Sequence, residues 1–85
     1  MSIFKKREPS EKTIYIRLLD EGTEVARPTR ASFQGNGMYI VLPTPDYDPT
    51  DETWEFPPGS LVRVQERRGV DGQYLLAFSS TANQT

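Results

Sequence analysis

Apolar and polar residues alternate from the first patterned stretch of the chain onward. Over 13–19, Ile14, Ile16 and Leu18 share one face and Tyr15, Arg17 and Leu19 the other, which is the period of a half-buried strand. The DEGT at 20–23 has the length and the glycine of a tight hairpin loop, and 24–33 returns with Val25, Ala31 and Phe33 at like parity. Pro28 interrupts this second strand. Proline cannot donate to a central ladder, so the strand is predicted to be an edge, to be bulged, or to split near Arg27. Gly35-Asn36-Gly37 is the strongest hairpin signal, because both residue types tolerate the positive φ of tight turns. A third strand is predicted over 38–42.

The segment 43–52, PTPDYDPTDE, holds three prolines and four acidic groups around one tyrosine, a composition that suits neither helix nor strand. It is predicted to be the longest loop. A short strand over 53–56 leads into Pro57-Pro58-Gly59, where two fixed φ angles, two missing donors and a glycine force a turn. The strand 60–67 leaves that corner with Val62 and Val64 in alternation, and the GVDG at 69–72 closes a hairpin onto a last strand over 73–78. A helix capped by Ser60 is the alternative for 60–67, but the alternating valines and the following glycine favour a strand. The expectation is an all-β domain, a small five- or six-stranded barrel or roll over 13–78, with flexible tails at 1–12 and 79–85.

Composition narrows the class of function. The chain has 85 residues, 35% hydrophobic and 26% charged, an ordinary globular balance for one small domain. It contains no cysteine, so stability rests on packing and hydrogen bonds and a reducing cytoplasm is the expected setting. No apolar run suits a secretory signal or a membrane span, and no membrane partner is expected. The formal charge of −2 and pI near 5.0 mean that a nucleic acid would need a local basic face set against the overall sign.

The sequence has neither histidine nor cysteine, and no carboxylate, lysine, tyrosine or serine sits in a nucleophile-and-base context, so no enzymatic activity is expected. The Gly35-Asn36-Gly37 turn lacks the lysine and the strand-to-helix setting of a phosphate loop, and no cofactor is expected. Asp46, Asp48, Asp51 and Glu52 offer oxygen ligands, but a calcium loop counted from Asp46 needs glycine where Asp51 stands and a bidentate acid where Pro57 stands. No metal is expected there either.

Two surfaces carry candidate binding chemistry. In the first, Tyr47 and Trp54 flank Asp46, Asp48, Asp51 and Glu52, a setting in which exposed rings and carboxylates hold a proline-rich or basic peptide. The competing reading makes Trp54 and Phe56 caps of the core. In the second, Arg17, Arg27, Arg30 and Arg63, with Arg67 and Arg68 adjoining, would form a platform for single-stranded nucleic acid if they converge with Tyr15 or Tyr39, while interspersed charge favours an ordinary solvated face. Glu24, Glu55 and Glu66 occupy the same elements and could neutralise those arginines across strands. A protein or peptide is therefore the expected partner and nucleic acid the alternative. An exposed strand carrying Pro28 could pair with a second copy, giving a monomer or weak homo-oligomer.

Asp51, Glu52, Trp54, Phe56, Gly59, Val62 and Val64 resemble the diverging-turn segment of SH3 domains, where an acidic pair, an apolar residue and a phenylalanine precede a glycine turn and a strand. The DYDP at 46–49 resembles the aromatic, acidic start of that family. The order departs from the family: three strands precede the segment, one hairpin follows it, Ser60 replaces an acidic residue, and no closing proline and tyrosine motif follows Phe78. With IRLLDEGTEVARP at 16–28 and WEFPPGSLVRV at 54–64, the chain is also similar to a group of small bacterial proteins without assigned function. Both resemblances imply an SH3-like barrel, and neither implies a ligand.

Overall fold

The structure is a computed structural model that describes residues 10–80. These residues form six strands and no helix: β1 (Glu11–Leu19), β2 (Val25–Gly35), β3 (Met38–Val41), β4 (Thr53–Trp54), β5 (Leu61–Gly69) and β6 (Gly72–Ser80). The all-β expectation holds. The sheet order is β2-β3-β5-β6-β1-β4, and a further β1–β2 pairing closes five of the strands into a ring. β1 and β2 pair antiparallel from Glu11↔Ser32 to Leu18↔Val25, whereas β1 meets β6 in parallel only at Tyr15↔Leu76. The two-residue β4 sits on the other edge of β1, opposite Leu18 and Leu19. Among the described residues, no helix is long and apolar enough to cross a membrane.

Alternation places the core as the sequence pattern requires. Ile14 and Ile16 are fully buried with Val41 and Val62, each worth about 1.5–3 kcal/mol relative to exposure. Leu18, Phe56 and Val64 pack against this cluster from its margins. Val25 and Phe33 share the parity of buried Ala31 but lie at the two ends of β2, past the core, and remain 38% and 47% exposed.

Pro28 does not split β2. It pairs opposite Tyr15 of β1, and β3 flanks β2 only from Ala31 onward, so the missing donor falls where the second edge of the strand has no strand beside it. The Gly35-Asn36-Gly37 hairpin forms, with Asn36 at φ 57° and Gly37 at φ 74°, next to a register shift between Phe33 and Gly35. At the Pro-Pro-Gly corner, Gly59 takes φ 95°. Its N–H donates to the Val41 carbonyl at 2.7 Å, and the Val41 N–H donates to the Ser60 carbonyl at 2.9 Å, fixing the start of β5 against the end of β3.

Strand limits differ from the expected ones at both ends. β1 begins at Glu11 and β6 runs to Ser80, because pairing with β2 and β5 extends past the alternating apolar stretch. Glu11, Lys12, Ser79 and Ser80, expected in the tails, are strand residues. Of the remaining tail residues, Ser10 is an exposed bend before β1, and 1–9 and 81–85 lie outside the described residues.

Candidate functional site

The acidic loop is tied into the scaffold. Arg27 Nε donates to both carboxylate oxygens of Glu52, at 2.8 and 2.9 Å, and its Nη2 also donates to Oε2. Trp54 Nε1 donates to Glu52 Oε1 at 3.0 Å. These donors, the Arg27 guanidinium first, hold the Glu52 carboxyl below its ordinary range, and the same hydrogen bond raises Arg27. Asp48 accepts from the Thr50 hydroxyl and backbone N–H, at 2.7 and 2.9 Å, and is likewise lowered. It is the acceptor of a local turn.

Trp54 takes the competing place, as a cap of the core, and Tyr47, expected to be an exposed ring, is half-buried instead. Trp54 is only 4% exposed and belongs to the core, with the half-buried Tyr47 ring packed edge-on to it at 4.7 Å. A ring with a satisfied N–H in an apolar niche favours burial over a wet edge. Of the residues expected to form a peptide site, Trp54, Glu52 and Asp48 are engaged in the fold. Asp46 and Asp51 are exposed.

The four candidate arginines do not gather on one face. Arg27 pairs opposite Ile16, on the core side of β2, while Arg17 and Arg30 lie opposite Ala26 and Thr13 on its outer side. Arg30 meets Glu11 at 3.4 Å, and Arg17 lies 3.9 Å from Glu24 and 3.6 Å from Glu55. Arg63 is exposed on β5. Tyr39 is buried against the core and packs on Phe33 at 5.3 Å, which removes it from any platform.

A different convergence appears on the outer face, where the ring closes. Tyr15 and Arg17 project outward from β1 because Ile14 and Ile16 face inward. The parallel contact at Tyr15↔Leu76 brings β6 alongside, and Arg67 of β5 pairs opposite Tyr74. The Tyr15 and Tyr74 rings meet edge-to-face at 5.1 Å and 69°. Beside them Arg17, Glu24, Val25, Ala26, Arg67, Tyr74 and Leu76 line a cleft of about 130 Å³. An adjoining groove of about 580 Å³ runs past Thr13, Tyr15 and the β5–β6 turn. Leu76 is 4% exposed and stands outside the core cluster, which Ala77 joins and Leu75 packs against, and it lines the cleft as its apolar floor. Gly69 makes room for the aromatic wall, since a Cβ there would come within 3.3 Å of Tyr74 Cε1.

Sequence reasoning reached Tyr15, Arg17 and Arg67 as platform residues but missed Tyr74 and Leu76. The residue pattern of the last strand carries no mark of the parallel contact that lays it against β1. Compared with protein-family models, curated proteins and solved structures, the chain has no match.

Proposed function

We propose that the protein is a non-enzymatic interaction module, an SH3-like barrel acting in the cytoplasm, which holds an extended segment of a partner protein in the outer-face cleft between β1 and β6. The observation that carries this reading is the concave site itself, floored by Leu76, walled by Tyr74, whose ring meets Tyr15 of the adjoining groove, and rimmed by charged groups. Binding sites are concave and largely apolar with a few placed polar groups. The acidic loop supports the reading less well, because Trp54 and Glu52 already bind each other and Arg27. Nucleic acid is disfavoured, since Arg17, Arg27 and Arg30 each lie beside a glutamate. The lack of histidine and cysteine argues against catalysis.

Selection of a random peptide library against the folded protein tests this. Selected peptides should lose about tenfold or more in affinity with Tyr74→Ala, the loss expected at an aromatic anchor, and bind Tyr47→Ala as they bind wild type. Loss with Tyr47→Ala alone would return the site to the acidic loop.

A further inference from the structure

We infer that the cleft recognises the carboxy-terminal residue of its partner, taking an aliphatic side chain onto Leu76 and the terminal carboxylate onto Arg17 and Arg67. This rests on the cleft being a peptide site. Its volume, about 130 Å³, is slightly less than the ~150 Å³ cavity that admits benzene, and so suits one aliphatic side chain.

The guanidinium groups at the rim have unspent donors. Glu24 and Glu55 approach Arg17 no closer than 3.9 and 3.6 Å, too far for a hydrogen bond, and among the described residues no acceptor takes a guanidinium N–H of Arg17. Arg67 donates only to Gln65, at 2.9 Å. Arg27, by contrast, is satisfied by Glu52. Arginine presents a planar fork that matches a carboxylate, and here two such forks border one cleft floored by Leu76. The ligand must therefore offer a carboxylate and an apolar group within the same small volume. In a peptide, only a carboxy-terminal aliphatic residue carries both on one α-carbon. Glu24 and Glu55 both oppose an anion at Arg17. The Glu24 side chain is 85% exposed and screened by solvent, whereas that of Glu55 is only 30% exposed. Arg67, which donates only to Gln65, therefore takes the larger share of the terminal carboxylate. The adjoining groove past Tyr15 and Tyr74 accommodates the preceding residues.

The test uses two octapeptide pools, random except for Leu, Val or Ile at the last position, one with a free carboxylate and one amidated. Binding is measured by fluorescence polarisation to the wild-type protein and to Arg67→Gln, Glu24→Gln and Tyr74→Ala, each checked for an unchanged fold by circular dichroism. The free-acid pool should bind at least about tenfold more tightly than the amide pool. Arg67→Gln should erase most of that difference, and Glu24→Gln should tighten the free acids. Equal affinity of the two pools, both weakened by Tyr74→Ala, would overturn the terminal-carboxylate inference while leaving the cleft as a peptide site. Equal affinity insensitive to Tyr74→Ala, or no binding of either pool, would overturn the inference and count against the site.

Discussion

Arg27 of β2 and Glu52 of the acidic loop, 25 residues apart in sequence, are joined by three hydrogen bonds from one guanidinium to one carboxylate. Trp54 adds its indole N–H to the same carboxylate. The pairing links a strand of the ring, the loop and a core residue. It explains why the most acidic stretch of the chain belongs to the scaffold, and why a guanidinium on the core side of β2 is tolerated there.

Removing the tryptophan should therefore unfold the protein. Trp54→Ala is expected to cost about 3–5 kcal/mol through lost packing, close to the whole stability of a domain this small. Tyr47→Ala, which uncovers one side of the indole, should cost about 1–2 kcal/mol. Urea unfolding followed by tryptophan fluorescence separates the two, read in Tyr47→Ala and, for Trp54→Ala, by circular dichroism.

Acid should weaken the fold through Glu52 and Asp48. Both have folded-state pKa values below their ordinary 4.5 and 3.8. Their stabilisation is complete above those ordinary values and is lost as pH falls through the lowered ones. The raised pKa of Arg27 acts at the alkaline end, its contribution being present below the ordinary arginine value and lost as pH rises through the raised one. Glu52→Gln should lower the Tm at pH 7 and shrink the further drop between pH 7 and pH 3. An equal acid-induced drop in wild type and variant would remove Glu52 from this role.

Thr29 is the one buried polar side chain of the described core, 4% exposed, and its hydroxyl donates to the Leu42 carbonyl at 2.5 Å where the acidic loop begins. Thr29→Val keeps the shape and removes the donor. It should cost about 1–2 kcal/mol, seen as a lower urea midpoint with an unchanged m-value.

Two glycines should respond differently to alanine. At Gly59 the φ of 95° strains any side chain although the space is open, so Gly59→Ala should cost about 1–2 kcal/mol and leave binding unchanged. At Gly69 the new methyl would press on Tyr74. Gly69→Ala should displace that ring and weaken peptide affinity several-fold, with the smaller effect on Tm.

Much of the fold was legible because it is written locally. Ile14 and Ile16 declare a strand by alternation, and Asn36 and Gly37 declare their hairpin by the φ they tolerate. Gly59 does the same for the Pro-Pro-Gly corner. What stayed hidden depends on contacts between distant segments. Nothing near Trp54 in sequence announces that Arg27 will cross to Glu52 and draw the indole inward. Leu76 reads as one more strand residue until the parallel contact with Tyr15 turns it into the floor of a cleft. Continuity through Pro28 was equally hidden, because it depends on how far β3 reaches along β2.

The most direct test of the outer-face cleft is a map of amide chemical shifts on the isotopically labelled protein, titrated with a peptide selected against it. The largest changes should fall on Tyr15, Arg17, Ala26, Arg67, Tyr74 and Leu76, with the acidic loop unmoved. Changes centred on Asp46, Tyr47, Asp51 and Trp54, with Tyr74 and Leu76 silent, would contradict the account.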